Sequence, residues 1–95
     1  MSADVYSQIA TKIVADQETI IGPIAIERAQ LIKELDIDWS KHQISVNSKN
    51  GQSVIDRLVE TYKVLFGQIA VETCKEAASK LIDQLPPEQK PESLR

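Results

Sequence analysis

Hydrophobic residues recur every three or four positions over most of this chain, the spacing that gathers them on one face of an α-helix. Tyr6, Ile9, Ala10, Ile13, Val14, Ile20 and Ile21 form the first stripe, with Ser7, Gln8, Thr11, Lys12, Asp16 and Glu18 opposite. The pattern predicts a helix from about Asp4 to Ile20, with Asp4 or Ser2 to cap its free N–H groups. Gly22-Pro23 interrupts it. A proline inside a helix removes a hydrogen bond and clashes one turn back, but at the first position of a new helix its missing N–H costs nothing. A break or sharp kink is therefore expected at Gly22, then a second helix from Pro23 to about Leu35 that buries Ile24, Ala25, Ala29, Ile32 and Leu35. A longer stripe follows: Val54, Ile55, Leu58, Val59, Tyr62, Leu65, Phe66, Ile69, Ala70, Cys74, Ala77, Leu81, Ile82 and Leu85. It reads as helix from about Gly51 or Gln52 to Leu85, with Asn50 as a candidate cap. Gly67 lies inside this stretch, where glycine costs up to ~1 kcal/mol relative to alanine, so the helix runs through, bends or breaks there.

Asp36 to Asn50 is less regular. Ile37, Trp39, Ile44 and Val46 alternate with polar residues for part of it, and the run from Val46 to Gly51 has loop chemistry. A short extended piece at Gln43–Val46 fits the alternation, but one short strand makes no sheet alone. The region is read as a connector that packs back through its apolar residues. Pro86-Pro87 stops the last helix. Residues 86–95, rich in proline and charge with one large aliphatic side chain, are expected to be disordered.

The two helical stretches also resemble each other. Ile21-Gly22-Pro23-Ile24-Ala25-Ile26-Glu27-Arg28-Ala29 returns 45 positions later as Phe66-Gly67-Gln68-Ile69-Ala70-Val71-Glu72-Thr73-Cys74. At the same offset Ile9, Ile13, Val14 and Ile20 match Val54, Leu58, Val59 and Leu65. A fixed offset reads as two copies of one structural unit, about 5–35 and 50–85. Aliphatic amphipathic helices also coincide by chance, and the sequence leaves both readings open.

Composition narrows the function. Ninety-five residues make one domain at most, here 1–85, with an aliphatic core because aromatics are only 4%. The charge is −3, and no window carries the dense Lys/Arg run of a nucleic-acid or membrane surface. No apolar stretch approaches the ~20 residues of a spanning helix, and the first residues lack a signal-peptide pattern, so no membrane insertion and a cytoplasmic location are expected.

Candidate chemistry is sparse. His42 and Cys74 are the only His and Cys, too few for a zinc site without carboxylates. Cys74 aligns with Ala29 in the offset, which makes it a small core residue rather than a nucleophile. The three glycines are isolated, so no phosphate loop exists. Neither catalytic residues, a metal nor a cofactor are expected. Glu27 and Glu72 fit helix-dipole or surface ion-pair roles. Trp39 either covers one end of the core or anchors a partner, as tryptophan often does at interfaces. With its neighbours Ile37, His42 and Ile44 it is the candidate partner-binding set.

The stretch Ile20-Ile21-Gly22-Pro23-Ile24-Ala25, following an amphipathic helix, resembles the I-G-P-x-A element of small uncharacterised helical domains in bacterial signalling and motility regulators. The resemblance rests on this one motif. It implies an interaction or regulatory role in a bacterial cytosol and carries over no functional residue. The chain departs from the pattern in having no receiver or kinase domain, and in its second half.

The expected fold is all-α: two helix–break–helix units, arranged like a four-helix bundle or as two long kinked helices. Leu58, Tyr62, Leu65, Phe66 and Ile69 form a stripe for the core or a homodimer interface. The expected function is a non-enzymatic protein-interaction module, an adaptor or a regulatory or assembly subunit, with a protein partner and no nucleic acid. The alternative is a small-ligand sensor with an apolar pocket between kinked helices near Gly22 and Gly67, with Tyr62 nearby.

Overall fold

The computed structural model describes residues 5–46 and 51–94. The proposed caps Ser2, Asp4 and Asn50, and most of the loop after Val46, lie outside them. Four helices dominate: α1 (Val5–Ile21), α2 (Ile24–Ala29), α3 (Gly51–Phe66) and α4 (Gln68–Ile82). The chain is not purely α-helical, because β1 (Leu35–Asp38) and β2 (Gln43–Val46) pair as an antiparallel hairpin.

Both glycine breaks form, and in the same way. Gly22 and Gly67 have φ of 80° and 74°, a region where a side chain is strained. Before each bend a last helical bond closes, Gly22 N–H to Glu18 O at 2.9 Å and Gly67 N–H to Lys63 O at 2.7 Å. After it, Ala25 N–H bonds Gly22 O and Ala70 N–H bonds Gly67 O, both at 3.1 Å. A β-carbon on either glycine would meet no atom within 4 Å, so backbone conformation rather than crowding calls for glycine at both. The long second stripe is therefore two helices.

The second helix is shorter than its pattern predicts. It ends at Ala29, and three-residue turns carry the chain on: Leu31 N–H to Arg28 O and Ile32 N–H to Ala29 O. The reason is the alternation that follows. Leu35 and Ile37 turn inward while Asp36 and Asp38 stay exposed, a two-residue period that a helix cannot satisfy. The strand that β2 needs thus begins at Leu35, the expected helix end, and takes the rest of its residues from the segment read as a connector. The hairpin register pairs Leu35 with Val46 and Ile37 with Ile44. Helix α1 supplies the rest of its support: Ile44 N–H donates to Thr11 Oγ1 at 3.1 Å, and Val46 N–H to Ser7 Oγ at 2.9 Å.

The proline-rich tail, expected to be disordered, is ordered through Leu94. It forms two short 3₁₀ turns, Pro87–Gln89 and Glu92–Leu94, and buries Pro91 and Leu94. Prolines cannot donate to a sheet or helix, so the tail is held by side chains acting on its backbone. Gln52 Nε2 donates to Lys90 O at 2.8 Å, Asp56 Oδ1 accepts from Ser93 N–H at 3.1 Å, and Tyr6 O–H donates to Gln89 O at 2.7 Å.

The core is aliphatic and draws on every helix: Ile9, Ile13 and Val14 of α1, Ala25 and Ala29 of α2, Val54, Ile55, Leu58 and Val59 of α3, and Ala70, Cys74 and Ala78 of α4. Two polar side chains bond within it. Gln17 Nε2 donates to Ala70 O at 3.1 Å, and Tyr62 O–H donates to Ala25 O at 2.7 Å. Donors and acceptors are each 45 positions apart, so the two units exchange the same bond reciprocally. Gly51 and Tyr6, also 45 apart, meet directly: a β-carbon at Gly51 would overlap the Tyr6 ring.

Candidate functional site

The reciprocal bonds gather both glycine bends at one end of the molecule, since Gln17 reaches the start of α4 and Tyr62 the start of α2. Tyr62 is fully buried and fills the space between the bends. Burial raises its phenol well above its ordinary range, and the nearby Cys74 adds to the shift. Burial likewise pushes the Cys74 thiol up to about 11, opposed by the Gln17 amide, which donates to Sγ at 3.4 Å. Cys74 is thus a protonated core residue at neutral pH, as its alignment with Ala29 anticipates.

The predicted stripe divides at this end. Leu58 and Tyr62 belong to the core, Leu65 is half-buried, and Phe66 and Ile69 are 41% and 74% exposed. The division follows the break: the α3 stripe cannot continue in phase once Gly67 turns the chain, so residues on either side of it emerge. Ile20, one turn beyond Gln17 on α1, is 62% exposed. Val64 and Leu31, missed by the sequence reading as surface residues, are exposed on the two sides of a shallow groove of about 300 Å³, where Arg28 and Arg57 supply charge. Their signal is weak: Val64 falls off the α3 stripe, and Leu31 stands beside Ile32, which takes the inward position.

The hairpin carries the other predicted set. Ile44 is buried against α1 and faces the core rather than solvent. Ile37 and Trp39 are half-buried and His42 is exposed. Trp39 Nε1–H donates to Glu18 Oε2 at 3.1 Å, and the Trp39 and His42 rings meet edge to face at 5.1 Å. His42 adopts a left-handed φ of 52° to close the turn into β2. Trp39 therefore pins the hairpin tip to the end of α1 while leaving part of its ring accessible. Beside the hairpin, Arg57 Nη1 holds Glu34 Oε1 at 2.7 Å, and a backbone hydrogen bond followed by this guanidinium keeps the Glu34 carboxyl below its ordinary value.

Glu27 and Glu72 are exposed, and Glu72 accepts from Gln68 at 3.3 Å on its own helix. Among the described residues no three His, Cys, Asp or Glu side chains converge as metal ligands, and no helix is long and apolar enough to cross a membrane. Every buried side-chain nitrogen or oxygen among them has a hydrogen-bond partner. Comparison with known families, curated proteins and solved structures found no match to this chain.

Proposed function

We propose that this chain is a non-enzymatic protein-interaction module, a small adaptor or a regulatory or assembly subunit, that self-associates as a homodimer through its bend end. The observation that carries the reading is the exposure of Ile20, Phe66 and Ile69 there, beside Val64. Exposed aliphatic side chains gathered at one end of so small a molecule mark an interaction surface. A second copy suits this end because its apolar positions come in pairs across the two units, Ile20 with Leu65, Ile21 with Phe66 and Ile24 with Ile69. A two-fold dimer requires a self-complementary patch, and a paired aliphatic surface supplies one. A regulatory role in a bacterial cytosol, implied by the I-G-P-x-A element, belongs to the same proposal.

Sedimentation equilibrium of the wild type and of Ile69→Asp tests it. Ile69 is exposed, so the substitution should leave thermal stability of the monomer within about 0.5 kcal/mol while dissociating the dimer. A wild type that stays monomeric at high protein concentration, or a variant whose mass is unchanged, removes the homodimer.

A further inference from the structure

The two edges of the hairpin are treated differently. In an antiparallel pair, residues alternate between those that bond across the ladder and those whose N–H and C=O face outward. Ile44 and Val46 give their N–H groups to Thr11 and Ser7, so they face away from β1 and their edge is closed by α1. Their register partners Ile37 and Leu35 must then face away from β2. The Leu35 N–H is taken by Ile32 O at 3.1 Å. That leaves the Leu35 C=O and both backbone groups of Ile37 along the outer edge of β1, with no protein partner among the described residues. A strand edge in this state is a template for another strand.

We propose that the outer edge of β1 takes up an extended segment of a partner protein as a third strand, and that the segment alternates basic and aliphatic residues. This rests on the reading of the chain as an interaction module, though not on its bend end. The alternation follows from the faces of β1. A partner residue bonded to Ile37 lies on the inner face, continuing the Leu35 and Ile37 row, so it is aliphatic. Its two neighbours lie beside Asp36 and Asp38 on the exposed face, so they are basic. Asp38 also accepts from Ser40 Oγ at 2.6 Å and lies 3.9 Å from Lys41 Nζ, while Asp36 has no side-chain partner among the described residues. A second copy is the wrong occupant. Antiparallel pairing of β1 with itself about Ile37 sets Asp36 against Asp38 twice, and a shift by two residues sets Asp36 against Asp36. Like charges directly opposite are destabilising.

The test is an amide NMR titration of the full chain with a capped hexapeptide of alternating lysine and valine. The Ile37 amide should shift and its hydrogen exchange should slow. Changing Asp36→Asn and Asp38→Asn together should weaken binding roughly two- to thirtyfold, the range for two cross-strand ion pairs. The same peptide N-methylated on its valine amides should not bind. Ile69→Asp should respond like the wild type, which separates this edge from the dimer surface. An Ile37 amide unmoved at millimolar peptide overturns the proposal. So does equal binding of the N-methylated peptide or of a glutamate–valine peptide, or an Ile37 shift produced by protein concentration alone.

Discussion

Helices α1 and α3 bend and bury themselves alike, yet the chain that follows each is built differently. After the Gly22 bend α2 lasts six residues and gives way to the hairpin, whereas after the Gly67 bend α4 lasts 15 and leads to the tail. The difference hides a deeper likeness. Ser7 and Thr11 on α1 grip the backbone of β2, and Gln52 and Asp56, 45 positions on, grip the backbone of the tail. The tail therefore lies along α3 as β2 lies along α1. One segment is a strand and the other is not because only β2 has an unbroken run of N–H groups and a strand to pair with. Pro86, Pro87 and Pro91 deny the tail that option, and it closes into 3₁₀ turns instead. Position in the unit sets where a segment docks, and its own residues set the form it takes.

The largest expected effects lie at residues 17 and 62, equivalent in place but unequal in size. Tyr62→Ala should cost about 3–5 kcal/mol, as for other buried aromatics, and Gln17→Ala about 1–3 kcal/mol, the cost of losing a buried polar partner. Urea unfolding of the two variants would read the asymmetry directly. Equal losses would show that the shared bond, rather than ring volume, dominates the site.

A second contrast is Cys74 against Ala29. The folded thiol is raised from 9.0 to about 11, so the native state holds its proton where the unfolded chain releases it. Stability is complete below pH 9 and falls as pH rises toward 11, by up to about 2–3 kcal/mol for Cys74, and Tyr62, held above its ordinary value of 10.0, adds its own loss from about pH 10 upward. Cys74→Ala, which makes the second unit match the first, should flatten the fall between pH 9 and 10 and lessen it from 10 to 11, where Tyr62 still contributes, in alkaline unfolding curves. An unchanged slope would assign the alkaline loss to other groups.

Gly51 and Tyr6 sharpen the comparison where the units touch. Gly51→Ala should cost about 1–3 kcal/mol by displacing the ring that also holds Gln89 O. In a Tyr6→Ala background the same change should cost nearly nothing, and a double-mutant cycle measures the coupling. The smallest effect concerns the bends. Gly22→Ala and Gly67→Ala should each lose about 1–2 kcal/mol from positive φ alone. A large inequality between them would mean that the two bends are not equivalent under strain.

Much of this was legible in the sequence because helix stripes and isolated glycines are local signals. The offset of 45, the bend at Gly22 and the core placement of Cys74 followed from residues read in order. The pairing of the hairpin did not, because Leu35 fell in phase with the α2 stripe and the alternation from Ile37 onward was too short to mark a second strand. Nor did the supports of β2 and the tail. Ser7 and Thr11 read as part of an ordinary polar face, Gln52 and Asp56 only as gaps in the α3 stripe, and their partners lie 33 to 39 residues away. The offset itself held the missing hint, since it maps Ser7 and Thr11 onto Gln52 and Asp56. The partner-binding set was likewise half legible: an alternating segment with a tryptophan was visible, but which of its residues face the core depended on the register.

The contact of Tyr6 with Gly51 has a consequence for partner choice. Where two like units meet about an axis, the same position faces itself. Two tyrosines there would collide, and two glycines would leave a hole. One of each fits, so the first unit is matched to the second and not to another first unit.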